Sequence, residues 1–168
     1  MMEKKKELNV TDKYVCFWGS EFSNFYPCEI NAEGETFKSS EQYFMWQKAN
    51  FFRDEVIANA ILRADTPRDA KNLGRRVDGY DDEAWSEVRM QAMFNAVYCK
   101  FSQNEDLKKK LLSNEYENKH FVEGSPVDNI WGVGIKFDDP KIADENNWTG
   151  ENLLGQVLDS VREQLSKE

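Results

Sequence analysis

The segment from Ser39 to Phe52, SSEQYFMWQKANFF, carries a carboxylate and an amine at a spacing that could serve a ligand. Four of its residues return to one side of a helix because they stand at i, i+4, i+7 and i+11: Glu41, Met45, Lys48 and Phe52. Glu41 and Lys48 would then lie ~10 Å apart along the helix axis, too far for the ion pair that forms between adjacent turns. They could bracket a ligand, or both could face solvent while the side with Phe44 and Phe51 is buried.

The helix that must position these two groups has its own start signal. Ser39 is followed three residues later by Gln42, the capping-box pattern, which predicts that the helix begins here. Three short strands are predicted before it, at Tyr14–Trp18 and in the two arms of a hairpin, Phe25–Ile30 and Thr36–Lys38. A second helix is predicted after it, from Arg53 to Arg63. Its apolar side consists of Val56, Ile57, Ala60 and Ile61.

Polar and aromatic residues also cluster in the sequence GSEFSNF, which lies between the first strand and the hairpin. Ser23 and Asn24 stand beside Phe25 there. This mixture of hydrogen-bonding and aromatic side chains suits a polar ligand that contains a ring. An ordinary turn would account for the same residues.

Three cations fall along one side of a helix whose ends are predicted at Thr66-Pro67 and Gly74: Arg68, Lys71 and Arg75. In a chain otherwise short of positive charge they are candidates for a phosphate clamp, although a solvated basic face explains them as well. The next and longest helix, Asp81–Lys100, has a stripe that contains Trp85, and Arg89 interrupts this stripe one turn later. Because a buried unpaired charge is costly, Arg89 is expected to face a carboxylate or an anionic ligand.

Acidic and aromatic residues border a loop between two predicted strands, His120–Glu123 and Ile130–Phe137. Glu123, Asp128 and Trp131 are the bordering residues, and Gly132 would permit close approach of the backbone. Acidic side chains beside an aromatic ring are suited to a sugar-binding site. The same kinds of residue also occur in simple turns.

The chain closes with a predicted helix, Thr149–Leu165, whose inward side is apolar: Leu154, Val157, Leu158, Val161 and Leu165. Gly150, Asn152 and Gly155 stand at its start, where free backbone amides could receive an anion.

Composition limits the function classes. A chain of 168 residues and 19.6 kDa fits one domain, here residues 13–168 after a flexible leader over residues 1–12. The formal charge of -9 argues against nonspecific binding to nucleic acid or anionic lipid. Three scattered cysteines support neither a disulfide framework nor a zinc site, and no signal peptide or membrane span is evident, so a cytoplasmic protein without metal is expected.

The following motifs occur in order over nearly the whole chain: SNF at 23–25, SSEQYFMWQKA at 39–49, GRRV at 74–77, WxxVRxxxMxxAVxxKF from 85, SPxDxIWGxG at 125–134 and GxNLLG at 150–155. With these motifs the chain closely resembles the YbiA-like NADAR family. The resemblance implies an α+β fold in a single domain that is predominantly helical with a small, mainly antiparallel sheet. It also implies cleavage of N-glycosidic bonds in ribose derivatives, with Lys48 as the amine that forms an imine, Glu41 and Asp128 as acidic site residues, and Trp85 and Trp131 as aromatic ones.

We therefore expect an N-glycosidase with a small ribosyl or ADP-ribosyl substrate, no cofactor, no membrane association and no obligate protein partner. Phosphoribosylamino-pyrimidine intermediates of riboflavin synthesis are the first substrate class that the resemblance implies. ADP-ribosylated guanine, including guanine in DNA, is the second, and a noncatalytic module that binds ADP-ribose or NAD is the alternative of another class. An unperturbed lysine with a pKa of about 10.4 is almost fully charged at pH 7, so Lys48 would need apolar neighbours such as Met45 and Phe52 to become a nucleophile.

Overall fold

The computed structural model describes residues 8–168. Within that range the chain forms two compact units, which we name by their place in the sequence. The terminal unit combines residues 8–23 with residues 110–168, and the central unit comprises residues 24–109.

The predicted flexible leader, residues 1–12, includes residues that form a strand. Leu8–Val10 forms strand β1, which pairs antiparallel with β2, Tyr14–Phe17, so that Leu8 stands opposite Phe17. These ladder hydrogen bonds place Leu8–Val10 within the fold. The remainder of the predicted leader, residues 1–7, lies outside the described residues.

The terminal unit is a small sheet covered by one helix. β5, His120–Glu123, pairs parallel with β2 and completes a three-stranded sheet in the order β1-β2-β5. The last helix, α6, spans Leu153–Ser166 and packs on β5. The five inward residues predicted from its apolar pattern are all at most 2% exposed: Leu154, Val157, Leu158, Val161 and Leu165. Three short 3-10 helices lie in the same unit: Asn114–Tyr116, Pro140–Ala143 and Glu145–Asn147.

The central unit is helical around one hairpin. β3, Ile30–Ala32, and β4, Glu35–Phe37, pair antiparallel. They are joined by Glu33 and Gly34 with φ of 53° and 79°, the positive values that a two-residue hairpin turn requires. Four helices follow in this unit: α1 Ser40–Phe51, α2 Glu55–Leu62, α3 Pro67–Gly74 and α4 Asp82–Gln103. A fifth helix, α5 Glu105–Leu111, runs over the boundary between the units in the sequence.

The starts of α1 and α3 are as predicted from their capping residues. The Ser39 hydroxyl accepts from the amide of Gln42 at 3.1 Å, and the Thr66 hydroxyl accepts from the amide of Asp69 at 3.1 Å. The side chain of Gln42 differs from a capping box, because its carbonyl accepts from the amide of Lys38 at 2.6 Å. Since α1 packs against α2, α3 and α4, most of its first two turns is buried.

Two predicted strands are wrong. Phe25–Ile30 is a turn followed by irregular chain, and β3 begins only at Ile30. Ile130–Phe137 is also irregular: the carbonyl groups of residues 130–133 accept hydrogen bonds from the amides of residues 149–154 instead of forming a ladder. Val56 is 78% exposed, so it does not belong to the buried side of α2. The α+β class, mainly helical with small sheets, is confirmed.

No helix among residues 8–168 is long and apolar enough to cross a membrane.

Candidate functional site

Lys48 lies near the end of α1 with its side chain half-buried. Its Nζ is 4.6 Å from the centroid of the Tyr80 ring. Burial lowers the pKa of Lys48 below the usual value for lysine; the negative charge of Glu41 opposes this effect, Arg75 lowers the pKa further, and Asp82 raises it. The amine therefore lies among charges of both signs, in surroundings that favour its neutral form more than water does.

Glu41 is 7% exposed, so the alternative in which it simply faces solvent is wrong. Its amide donates to the carbonyl oxygen of Asn24 at 3.1 Å. The side chain of Asn24 accepts from the Ser40 hydroxyl at 2.8 Å and contacts the Met93 sulfur at 3.3 Å. Asn24 was expected to bind substrate, and in the structure it uses its side chain to hold the start of α1, which places Glu41.

Five aromatic rings pack in a chain of contacts that begins at Tyr80, beside Lys48, and extends between α1 and α4. The ring of Phe52 lies 5.3 Å from Tyr80 and 6.2 Å from Trp85, as measured between centroids. Trp85 also contacts Phe44 at 5.4 Å and Phe51 at 5.9 Å. Trp85 is only 6% exposed and Phe44 3%, whereas Phe51 and Tyr80 are each 44% exposed. The predicted site residue Trp85 is therefore the buried centre of an aromatic cluster whose most exposed rings are those of Phe51 and Tyr80.

The three predicted phosphate ligands lie on or just after α3. Arg68 and Arg75 are exposed, and Lys71 is half-buried. Lys71 Nζ lies 5.8 Å from the centroid of the Phe25 ring, which brings together two residues that were singled out separately from the sequence. Arg75 is close enough to Lys48 for its charge to act on that amine.

Tyr80 and Asp82 were not identified as site residues from the sequence. The Tyr80 hydroxyl donates to Asp82 Oδ1 at 2.7 Å. Burial and this hydrogen bond raise the pKa of Tyr80 to about 12, and the positive charge of Arg89 partly opposes the rise. The half-buried Arg89, expected to face a carboxylate or an anion, thus acts on the Tyr80–Asp82 pair. The sequence did contain a signal for this pair, because Tyr80 is an aromatic residue directly before the acids that begin α4.

Asp128, in the terminal unit, organises its own loop. Its Oδ1 accepts from the amides of Ile130 at 2.9 Å and Trp131 at 2.8 Å. Its amide donates to the Ser125 hydroxyl at 3.1 Å. One carboxylate oxygen of this predicted acid is therefore used to hold the turn that presents Trp131.

The segment before α6 does not offer the free amides that the sequence predicted at Gly150 and Asn152. The amides of this segment and of the first two residues of α6 donate to carbonyl groups of residues 129–133 in this series: Gly150 to Val133 at 3.1 Å, Glu151 to Asn129 at 2.9 Å, Asn152 to Gly132 at 3.1 Å, Leu153 to Ile130 at 3.1 Å and Leu154 to Trp131 at 3.1 Å. A Cβ at Gly150 would lie 2.2 Å from the carbonyl oxygen of Gly132. The anion site expected here is thus replaced by contacts between two loops.

The side chain of Asn152 is also used within the protein. It donates to the Phe121 carbonyl at 3.0 Å and accepts from the Glu123 amide at 3.0 Å, and the residue is 7% exposed. Packing also explains why position 132 is a glycine, because a Cβ there would lie 3.0 Å from the carbonyl oxygens of Asp128 and Glu123. Ligand contacts by Ser23, Glu123, Trp131, Gly132 and Asn152 stay predictions.

Among residues 8–168 no group of three or more His, Cys, Asp or Glu side chains is arranged to hold a metal ion.

Comparison with known proteins places these residues in a family. The NADAR domain model matches residues 16–166. Protein irg-1 of Caenorhabditis elegans is 38% identical over 92% of this chain and 81% of its own length. N-glycosidase R617 of Acanthamoeba polyphaga mimivirus is also 38% identical, over 92% of this chain and 97% of its own. Riboflavin biosynthesis protein VVA0006 of Vibrio vulnificus is 32% identical over 86% of this chain and 35% of its own length.

A solved structure supports the same grouping. The NMR structure of the E. coli protein YbiA is similar with a TM-score of 0.75 and 30% identity, and it covers 95% of this chain and 88% of that one. The sequence motifs, the family model and this fold similarity agree, and the chain belongs to the NADAR domain family.

Proposed function

We propose that this protein is an N-glycosidase that hydrolyses the bond between a ribose phosphate and the nitrogen of a pyrimidine base. The observation that carries the proposal is Lys48, an amine held half-buried against an aromatic ring with its pKa lowered chiefly by burial. A lysine with these surroundings is suited to attack an anomeric carbon, because only the neutral amine is a nucleophile.

The proposed reaction balances with water as its only co-reactant. The lone pair of neutral Lys48 Nζ attacks the anomeric carbon, and the bond from that carbon to the base nitrogen breaks with its electron pair leaving on the base. The base takes a proton from a site acid, and the ring oxygen takes a second proton, which came from Nζ, as the ribose opens to a protonated imine. Water then adds to the imine carbon, and Lys48 departs as a neutral amine while the sugar is released as its aldehyde. The proton that remains from this hydrolysis returns to the site acid, which restores the enzyme.

Glu41 suits the cationic stages of this reaction. It is a buried carboxylate on the same helix, and its negative charge favours positive charge at Lys48. Stabilisation of an oxocarbenium-like or iminium charge by a nearby carboxylate is the task that such groups perform in glycoside cleavage. Asp128 is proposed as the acid or base, as the family resemblance implies.

Arg68, Lys71 and Arg75 are proposed to bind the phosphate of the substrate. All three extend from α3 or from its C-terminal cap, in a chain whose formal charge is -9. Since Arg75 also acts on the Lys48 amine, a phosphate bound there would be close to the proposed nucleophile. Two of the similar proteins are named as an N-glycosidase and as a riboflavin biosynthesis protein, which supports this reaction class and a phosphoribosylamino-pyrimidine substrate.

Borohydride trapping tests the proposal. Reduction during turnover would convert the imine into a stable secondary amine, so the peptide that contains Lys48 should gain the mass of the reduced sugar phosphate. Lys48→Met should lose both this adduct and release of the base. Lys38→Met is the matched control, because Lys38 is an exposed lysine of the same unit with a side chain 66% exposed.

Three results would contradict the proposal. Wild-type protein that releases base without any adduct would exclude the imine route. Binding of ribosyl compounds with no cleavage of any of them would leave the noncatalytic module as the remaining function. Faster release from ADP-ribosylated guanine than from the pyrimidine substrate would reassign the substrate class.

A further inference from the structure

The short connection between α3 and α4 carries Tyr80 and is fixed on both sides of it. Before Tyr80, the amide of Asp78 donates to Asp54 Oδ2 at 2.8 Å, and Asp54 is the residue that caps α2. After Tyr80, Asp81 caps α4 through its own carboxylate. Only Gly79, with a φ of 76°, separates Tyr80 from the first fixed point. The ring is thus held in place by backbone geometry on both sides.

The orientation of the Tyr80 ring is set by two further contacts. Its hydroxyl donates to Asp82 Oδ1 at 2.7 Å, and its ring meets the ring of Phe52 in an edge-to-face arrangement, with centroids 5.3 Å apart and planes at 62°. Lys48 Nζ lies over the Tyr80 ring, 4.6 Å from its centroid. An ammonium or iminium nitrogen within about 6 Å of a ring centroid is attracted by the electrons of the ring face.

The charged groups that act on Lys48 lie on or at the end of three helices. Glu41 on α1 and Asp82 on α4 favour the charged amine, and Arg75 at the end of α3 disfavours it. Tyr80 is a neutral group, because its phenol stays protonated with a pKa of about 12. Its ring can therefore stabilise positive charge without neutralising it.

We propose that Tyr80 is a catalytic residue that stabilises the protonated imine at Lys48 Nζ through the face of its ring. This rests on the proposed imine route of Lys48. No bond to Tyr80 forms or breaks in the reaction, and the phenolic proton stays on the oxygen that donates to Asp82.

The proposal predicts two opposite effects when the ring is removed. In Tyr80→Leu the charged amine loses an attraction, so the neutral fraction of Lys48 at a given pH below its pKa should rise roughly two- to fivefold, the ratio that corresponds to a cation–π contact at a half-exposed site. The protonated imine loses the same attraction, so the maximal rate of base release should fall by roughly two- to fivefold. A purely structural residue would lower the rate without raising the neutral fraction of the amine.

The amine is measured without relying on turnover. Lys48 is acetylated with a small anhydride over a range of pH, and the modified peptide is quantified by mass spectrometry with the exposed Lys38 as internal reference. Tyr80→Phe keeps the ring face, so Lys48 in this variant should show the acetylation profile of the wild type. Phenylalanines with one, two and three ring fluorines at position 80 should raise the neutral fraction of Lys48 stepwise, since fluorine withdraws electrons from the ring face with little change in shape. This series keeps the test valid if Tyr80→Leu fails to fold.

The outcomes separate this proposal from the proposed function. Acetylation profiles that are identical for wild type and for the fluorinated series would overturn the role of Tyr80, whether or not the protein cleaves ribosyl substrates. A stepwise change in acetylation with a parallel fall in the rate of base release would support it. A stepwise change in a protein that never forms an imine adduct would refute the catalytic role, together with the proposed function, and leave only the contact between ring and ammonium.

Discussion

Asp128 has two roles that one substitution can separate, because its carboxylate holds a loop and is also the predicted acid or base. Oδ1 accepts from the amides of Ile130 and Trp131 at 2.9 and 2.8 Å. In Asp128→Asn the amide oxygen can still accept from both groups, but the ionisable carboxyl is absent. Asp128→Ala removes the acceptor as well.

The expected magnitudes follow from these bonds. Asp128→Asn replaces two hydrogen bonds to a charged acceptor by two to a neutral one, so we expect the free energy of unfolding to fall by about 1 kcal/mol. Asp128→Ala leaves both amides without this partner, and we expect a loss of about 1–3 kcal/mol. If Asp128 transfers a proton, Asp128→Asn should lower the rate of base release by roughly 10²–10⁴-fold although the loop remains formed.

The assay measures base release by chromatography at saturating substrate, and urea unfolding measures stability. A rate for Asp128→Asn within about fivefold of wild type would refute proton transfer by Asp128, because general acid or base catalysis supplies more than that. If Asp128→Ala alone were inactive, loop positioning would be the whole role of this residue.

Two further predictions concern one buried contact and the charges on the amine. Asn152→Ala removes both side-chain hydrogen bonds to β5 and places alanine at a φ of 55°, so urea unfolding should show a loss of about 2–4 kcal/mol; an unchanged midpoint would contradict the structural role of Asn152. Glu41→Gln removes a charge that raises the pKa of Lys48, and Arg75→Gln removes one that lowers it, so the acid limb of the rate of imine trapping should move to lower pH in the first variant and to higher pH in the second. Limbs that move in the same direction would show that these charges do not act on Lys48.

Helices were predictable here because their signals are local. Ser39 and Thr66 accept the hydrogen bonds that the sequence pattern implied, and α1 and α3 begin where those residues predicted. The inward side of α6 was equally clear, since its apolar residues recur at the helical period. Its start was placed four residues too early, at Thr149 instead of Leu153, because the intervening amides bond to a distant loop.

The failed prediction of a strand at Ile130–Phe137 has a cause that lies outside the local sequence. Ile130–Phe137 has apolar residues that suit a strand, yet its carbonyl groups meet the segment before α6. Gly150 makes this approach possible, because any side chain there would collide with Gly132. The motifs SPxDxIWGxG and GxNLLG thus owe part of their composition to contact with each other, and a glycine or an Asn within them need not touch substrate.

The candidate site was easier to predict where its residues share one helix than where tertiary contacts bring them together. Glu41 and Lys48 were predicted as site residues from their spacing on α1, and the burial of Glu41 excludes the alternative in which both face solvent. Tyr80 was missed, since its contact with Lys48 joins residues that are 32 positions apart in the sequence and lie on different elements. The acids beside it were interpreted only as the start of a helix.

Lys48→Arg decides between an enzyme and a binding module. Arginine keeps its charge when partly buried and binds phosphate at least as well as lysine does, but it cannot form the imine. A module that only binds an anionic ribosyl ligand would gain nothing from burial that disfavours the charged lysine. If the protein is such a module, its affinity for the ligand, measured by calorimetry, should survive this substitution. In the enzyme, Lys48→Arg should retain affinity within about tenfold and lose both the borohydride adduct and base release. Retained base release in Lys48→Arg would contradict the nucleophilic role of Lys48, because no neutral amine would then be present at that position.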